Sequence, residues 1–408
     1  MRDHRLDIVR GVAIVIITLN HITGLFTLLA DLDVVLPSLT DVGYTSAAEI
    51  FVALSGYMVG LAYIGRPDMV RKVLSRAGKL YIVNLLLFAA SAAIVYSSTR
   101  ELQEVTRFLY VFETEAWKAA VRAVVMFAPP AFLDVLPLYT LLLLAVPLMA
   151  LLLARSTRLF AAVSVTVYAI TQVILHLDGA VFPFHRFDWY FNIFAWQFLF
   201  FGFMALGHRR LHTAALDWFA QDRWRSLGAL AVFALMGVLY RLNAGGDVEV
   251  MPMTDKTDLE PLRLLHNALT ITAILALVAL IPRQAENAAL RALVMVGRQS
   301  LNAYAASVVL TYAAAVVWLA AAPHTVGYTV GYLMASATVL ALVIAVAMQR
   351  SGTSLAVLWD GPPTPDLVHR PAEARPLRRH LGAPLPVHAA KRRDRDETSR
   401  HLGPGRGA

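Results

Sequence analysis

The chain contains no cysteine. This excludes disulfides, thiolate nucleophiles, iron–sulfur clusters and cysteine-ligated zinc, and we expect neither a metal site nor a permanently bound cofactor. Charge is also scarce, because only 16% of the 408 residues are charged, whereas soluble domains carry about 25%. Hydrophobic residues make up 58% of the chain and the mean hydropathy is +0.59. This composition indicates a polytopic membrane protein.

Long apolar runs divide the first 349 residues into membrane-length segments. We predict an all-α, polytopic transmembrane helical bundle with about ten spans over residues 1–349. The shortest run is the seventh, and a further segment around residues 119–132 is predicted to be interfacial or re-entrant. The ten predicted spans are residues 8–30, 44–64, 77–96, 135–154, 159–177, 189–207, 226–242, 262–281, 300–321 and 327–348.

The distribution of Lys and Arg between alternate loops predicts the orientation. With a cytoplasmic N-terminus, the cytoplasmic segments hold 28 of the 36 Lys and Arg residues. Because cytoplasmic loops are enriched in these residues, both termini are predicted to be cytoplasmic, which requires an even number of spans.

Residues 350–408 differ sharply from the rest of the chain. They are rich in Pro, Gly, Arg and His and carry a net charge of +5, from 11 basic and 6 acidic residues. We predict a disordered, basic cytoplasmic tail that contacts anionic lipid headgroups. The excess positive charge is therefore not an indication of nucleic-acid binding.

The first span carries polar and ionisable residues inside an apolar helix. Arg10 and His21 are eleven residues apart, which places them within about 20° of one helix face and about 16.5 Å apart along the axis. Asp7 and Asn20 lie in the same span. Ionisable groups in hydrocarbon are costly, so this face predicts a functional site in the bundle interior. The alternative is that Arg10 snorkels to the headgroups and His21 only packs.

The second span supplies a carboxylate at a similar depth. Glu49 is predicted to lie about 7.5 Å below the outer surface, and His21 about 9 Å below it. A carboxylate beside an imidazole fixes its tautomer and stabilises the imidazolium, so the two residues are a candidate catalytic pair. The alternative is a structural hydrogen bond. Gly56 and Gly60 in this span have the spacing of a close helix–helix contact.

Two further sets of residues are candidates for binding roles. On the predicted cytoplasmic side, basic residues could bind the phosphates of a donor, although a positive-inside loop would look similar. Deeper polar residues could line a tunnel, form an oxyanion hole or hold helices together. The candidate donor-binding residues are Arg10, Arg71, Arg76 and Lys79. The candidate tunnel or oxyanion residues are Asn20, Tyr139, Gln197, Asn302 and Tyr304.

Several of these segments resemble a known family. RLDIVRGVAIVIITLNH, AAEIFVALSGYMVGLAY, LYTLLLLAVP, FAWQFLFFG and VGRQSLNAY together resemble the OpgC-type proteins, over about residues 5–348. These are succinyltransferases of osmoregulated periplasmic glucans, related to the wider type 3 membrane acyltransferases. The most specific mark is the Arg and His of the first span, here Arg10 and His21.

The resemblance implies a reaction. It implies an inner-membrane enzyme that moves an acyl group from cytoplasmic acyl-CoA, expected to be succinyl-CoA, to a hydroxyl of a periplasmic glucan. It also implies that His21 is catalytic, with Glu49 as its partner, and that Arg10 lies near the donor path. Direct transfer and an acyl-histidine intermediate both remain open. The alternatives are an O-acetyltransferase of surface polysaccharide or lipid-linked sugar, and a proton-coupled transporter.

Overall fold

The computed structural model of the protein describes residues 4–37, 39–177, 190–244, 253–280, 287–325 and 327–360. Within these ranges the chain forms helices and no strands, as the all-α prediction requires. The helices are α1 His4–Leu29, α2 Ala47–Ala62, α3 Met69–Tyr96, α4 Arg100–Val105, α5 Leu109–Glu113, α6 Ala116–Val124, α7 Val135–Arg155, α8 Thr157–Leu177, α9 Ile193–His208, α10 Leu211–Ala220, α11 Arg223–Ala244, α12 Pro261–Ala279, α13 Ala288–Arg298, α14 Ser300–Thr325, α15 Tyr328–Ser351 and α16 Leu355–Asp360.

Each of the ten predicted apolar runs coincides with one helix. Eight of these helices in the described chain are long and apolar enough to cross a membrane, which indicates a membrane protein. The other two, α2 and α9, contain 16 residues each. At 1.5 Å per residue they reach about 24 Å, less than the about 30 Å of a bilayer core. The number of spans and the orientation of the termini therefore stay predictions.

The two short helices α2 and α9 pack against each other through glycine. A Cβ added to Gly56 or Gly60 would lie 2.1 or 1.9 Å from a backbone carbonyl oxygen of α9. A Cβ on Gly207 of α9 would lie 2.0 Å from the carbonyl oxygen of Tyr57. The predicted close contact at Gly56 and Gly60 is confirmed, because the two helix backbones lie too close together to leave room for a Cβ at these positions.

The first helix, α1, contacts α2, α4, α12, α13, α14 and α15. Its contact with α13 also depends on glycine, because a Cβ on Gly11 would lie 2.1 Å from the carbonyl oxygen of Leu293. Arg298 at the end of α13 donates to the buried Asp7, with Nε 3.3 Å from Oδ2. Asp7 therefore belongs to an ion pair between the N-terminal turn of α1 and α13.

An irregular segment connects α6 to α7. Residues 119–132 comprise the end of α6 and a non-helical stretch in which Met126, Ala128 and Phe132 have positive φ values of 54°, 44° and 66°. Residues with side chains adopt this conformation only when surrounding contacts impose it. Here the hydroxyl of Tyr304 in α14 donates to the carbonyl oxygen of Phe132. Irregular backbone in a membrane protein is tolerated where it is buried or lines a cavity.

The helical region extends slightly beyond the predicted boundary at residue 349. Helix α15 ends at Ser351, and α16 follows it and contacts α13. Arg291 of α13 donates to the carbonyl oxygens of Leu358 and Trp359, at 2.7 and 2.5 Å. The first residues assigned to the tail are therefore folded, and residues 361–408 lie outside the described part of the chain.

Candidate active site

A cavity of about 540 Å³ lies beside α1. Its wall includes residues of α1 from Ile17 to Leu28, a length of about 16 Å. The rest of the described wall comes from α2 and Ser46 before it, the end of α4 with Arg107, the 131–135 segment, residues 190–191 and the loop before α12. Most of the wall is apolar, and a few polar groups converge on it, as in typical small-molecule sites. The polar and charged residues of the wall are Asn20, His21, Ser46, Arg107, Asp134, Tyr190 and Lys256.

His21 lies on this wall, held between aromatic rings. Its ring stacks on Phe132 with a centroid distance of 4.3 Å, and Tyr304 meets it edge-on at 6.3 Å. In the described chain the Nδ1 atom is buried without a hydrogen-bond partner. Nε2 is therefore the ring nitrogen left to face the cavity. Packing, instead of a hydrogen bond, fixes the orientation of this imidazole.

The depth estimates predict that Glu49 contacts His21, but in the structure Glu49 bonds to other residues. It is fully buried, and Ser46 donates to its Oε2 from both the backbone nitrogen, at 2.9 Å, and the side-chain hydroxyl. Its Oε1 accepts from Nε of Arg263 at 2.6 Å. Similar depth on consecutive helices was insufficient, because Glu49 is the third residue of α2 and turns back to complete a capping box with Ser46. The predicted hydrogen bond between Glu49 and His21 is therefore replaced, among the described residues, by bonds from Ser46 and Arg263 to Glu49.

The pair of Glu49 and Arg263 links two parts of the cavity wall. Through Ser46 the carboxylate reaches the wall itself. Through Arg263, which also donates to the carbonyl oxygen of Thr254 at 2.9 Å, it reaches the loop before α12. That loop carries Lys256, another wall residue. This geometry suits a positioning function.

The carboxylate that shares the cavity with His21 is Asp134. Arg107 donates to both of its oxygens, at 3.0 and 3.1 Å. Burial raises the pKa of the Asp134 carboxyl to about 6, although Arg107 acts in the opposite direction. Near neutral pH this pair supplies a carboxylate and a guanidinium to the cavity that His21 lines.

Lys256 is the third charged residue of the wall. Its ammonium lies over the ring of Tyr190, 5.5 Å from the centroid. Burial lowers the pKa of the Lys256 ammonium, and the nearby carboxylate of Glu49 acts in the opposite direction. Lys256 lies in the loop of residues 253–260, which also contains acidic residues. In the sequence this loop therefore resembles an ordinary solvated segment.

The four candidate donor-binding cations lie away from the cavity, and none is among the described residues that line it. Arg10 donates to the hydroxyl of Ser300 at the start of α14. Arg76 donates to the hydroxyl of Tyr139 at 3.1 Å and lies over its ring. Arg71 and Lys79 have exposed side chains. Between Arg10 and the cavity, α1 is packed by buried residues such as Ile14.

Tyr139, which accepts a hydrogen bond from Arg76, is not among the described cavity-lining residues, and the other four candidate polar residues divide into three groups. Asn20 lies on the cavity wall, and Tyr304 contacts His21. Gln197 exchanges two hydrogen bonds with Ser164, each 2.9 Å, and thereby holds α9 to α8. Asn302 donates to Gln299 at 3.0 Å, at the start of α14. The contacts of Gln197 are those of helix–helix attachment, whereas only Asn20 and Tyr304 are placed near the imidazole.

Sequence reasoning missed Arg107, Asp134 and Lys256. All three lie in segments between spans, where charge is the norm and gives no signal of its own. The sequence did contain one signal for Asp134, because this residue directly precedes the apolar run of α7 and so lies at the predicted membrane boundary.

Comparison with known proteins gives one match. A family model described as OpgC protein matches residues 2–353, nearly the whole of the described chain. No curated protein and no solved structure matches.

Proposed function

The chain belongs to the OpgC family, and from that membership we propose that it is a membrane acyltransferase. In this proposal it moves a succinyl group from cytoplasmic succinyl-CoA to a hydroxyl of a periplasmic glucan, and it resides in a bacterial inner membrane. One observation carries the proposal within the structure. His21 lies on the wall of a cavity with one ring nitrogen left to face the open space.

In the proposed reaction His21 acts as the general base. As the glucan hydroxyl oxygen attacks the thioester carbonyl carbon, His21 Nε2 takes the hydroxyl proton. The new ester C–O bond forms, the C–S bond breaks, and the electron pair leaves with the CoA sulfur, which then receives the proton from His21. Attack by His21 itself, giving an acyl-histidine that the hydroxyl then resolves, balances equally well.

Positioning residues complete the proposed site. Glu49 acts through Ser46 and Arg263 on the cavity wall instead of on the proton of His21. The amide of Asn20 shares the cavity with the imidazole and is our candidate donor to the oxyanion that develops on the thioester.

The donor side of the proposal rests on charge. Arg10, Arg71, Arg76 and Lys79 would bind the phosphates of CoA, since guanidinium and ammonium groups form charge-assisted bonds with phosphate oxygens. The acyl arm would then reach His21 past the buried Ile14. This path requires the packed side chains between Arg10 and the cavity to move when the donor binds.

The test is transfer of labelled succinyl groups by the purified full-length protein in lipid nanodiscs. His21→Ala and His21→Gln are expected to reduce turnover by at least a hundredfold, in the range of general-base contributions. His208→Ala, at an exposed histidine at the end of α9, is the matched control and should retain wild-type turnover. Near wild-type turnover in folded His21→Ala protein would refute the role of His21.

The acceptor is tested in cells. A strain that lacks this chain should produce periplasmic glucans with less negative charge, visible as altered electrophoretic mobility. Loss of acetyl groups without loss of charge would favour the O-acetyltransferase alternative. Substrate flux by reconstituted protein without any acylated product would favour a transporter.

A further inference from the structure

The positive and negative side chains that the structure describes at the His21 cavity are unequal in number. The cavity and the groups directly behind its wall contain two ion pairs, Arg107 with Asp134 and Arg263 with Glu49. Lys256 is the third cation. Among the described residues no carboxylate lies within ion-pair distance of its ammonium and no acceptor forms a hydrogen bond with it; the Tyr190 ring is its partner. Counted over the described residues, the site therefore has a surplus charge of +1.

A half-buried ammonium without a hydrogen-bond acceptor is costly unless something satisfies it. The two nearby carboxylates are already engaged, since Glu49 accepts from Ser46 and Arg263 and Asp134 accepts from Arg107. An anion brought by a ligand would balance the charge and accept the free hydrogens of the ammonium. The cavity has room for one, because its volume is about 540 Å³.

Lys256 and His21 share one cavity wall, which indicates how a ligand that reacts at His21 could reach the ammonium. The cavity extends from Ile17 toward Leu28, the end of α1 away from Arg10. A thioester that approaches from the Arg10 side would bring its carbonyl carbon to His21 first. The free end of the acyl group then extends into the cavity whose wall Lys256 shares with His21.

We propose that Lys256 binds the free carboxylate of a dicarboxylic acyl group and so selects a charged acyl donor over an uncharged one. This inference rests on the proposed acyl transfer. Lys256 takes no part in bond making; it holds the far end of the acyl group while His21 acts at the thioester. An acceptor glycan that supplied the anion would give the same charge balance, and the experiment separates the two.

The experiment compares two donors with one acceptor. Succinyl-CoA and the CoA thioester of monomethyl succinate have the same chain of carbons up to the terminal group and differ in its charge. Wild-type protein in nanodiscs should give a higher kcat/KM with succinyl-CoA. Lys256→Gln should lower the ratio of the two kcat/KM values by about ten- to a hundredfold, the range expected for a lost charge-assisted hydrogen bond.

Two variants serve as controls. Lys256→Arg keeps the cation and should restore most of the preference. Lys118→Gln removes a lysine in α6 that is paired with Glu115 and lies outside the cavity wall, and it should leave the ratio unchanged. Because the readout is a ratio within one preparation, partial unfolding of Lys256→Gln does not affect it.

Each outcome decides the matter. If wild-type protein transfers the acyl group and Lys256→Gln shows the same ratio of the two kcat/KM values, the assignment of Lys256 is overturned and the proposed function stands. A proportional fall with both donors would assign Lys256 to the acceptor or to structure, and would equally overturn it. Absence of transfer by wild-type protein with either donor would instead refute the proposed function.

Discussion

Breaking the buried ion pair between Glu49 and Arg263 tests whether Glu49 has a positioning function. The sequence predicts Glu49 as the partner of His21, whereas the structure pairs it with Arg263. The two side chains are 0% and 9% exposed and their closest atoms are 2.6 Å apart. Arg263→Met would leave the Glu49 carboxylate buried beside Ser46 without its cation. Loss of one partner of a buried pair costs about 3–5 kcal/mol, and we expect a destabilisation of that size.

The matched variants separate structure from chemistry. Glu49→Gln removes the charge, keeps the side-chain volume and leaves Arg263 without its anion, so it should also destabilise the protein by about 3–5 kcal/mol. The double variant, Glu49→Gln with Arg263→Met, should cost less than the sum of the two, because neither charge is then left unpaired. Each free energy would come from denaturant unfolding of the protein in lipid nanodiscs.

Activity gives the refuting result. If Glu49 positions the cavity wall, the double variant should recover part of the transfer activity that each single variant loses. A Glu49→Gln protein with wild-type stability and no transfer activity would contradict this reasoning. It would restore the carboxylate to a direct role beside His21.

Three further predictions concern packing, pH and the aromatic support of the imidazole. Gly60→Ala should destabilise the protein by about 1–3 kcal/mol, because the new Cβ would lie 1.9 Å from an α9 carbonyl oxygen. Gly202→Ala is the control and should not destabilise it, because the Cβ there would meet open space. Thermal unfolding of the two variants measures the difference. Because burial raises the pKa of Asp134 to about 6, above that of an unfolded aspartate, stability should fall as pH rises from below 4 through 6. Asp134→Asn should remove this part of the pH dependence in thermal unfolding at pH 5 and 7.5. Tyr304→Phe leaves the half-buried carbonyl of Phe132 without its donor, so it should cost about 1–3 kcal/mol in the same assay. It should also lower transfer by disturbing the ring stacked on His21.

The membrane architecture was accessible from the sequence because it follows from local properties. Each apolar run specifies a helix by its own length and composition, and ten runs correspond to ten helices. The spacing of Gly56 and Gly60 likewise predicted a close helix contact, since both residues lie on one face of one helix. For Gln197 the sequence left attachment and tunnel lining open, and its bonds to Ser164 decide for attachment.

The site depended on contacts that no local pattern contains. His21 could be singled out because an imidazole in an apolar helix is unusual wherever the helix lies. The partner of Glu49 could not, because Arg263 is 214 residues away and the depth of a residue in the membrane does not specify the direction of its side chain. Only the tertiary structure brings Asp134 and Lys256, from two separate loops, to the wall that His21 occupies.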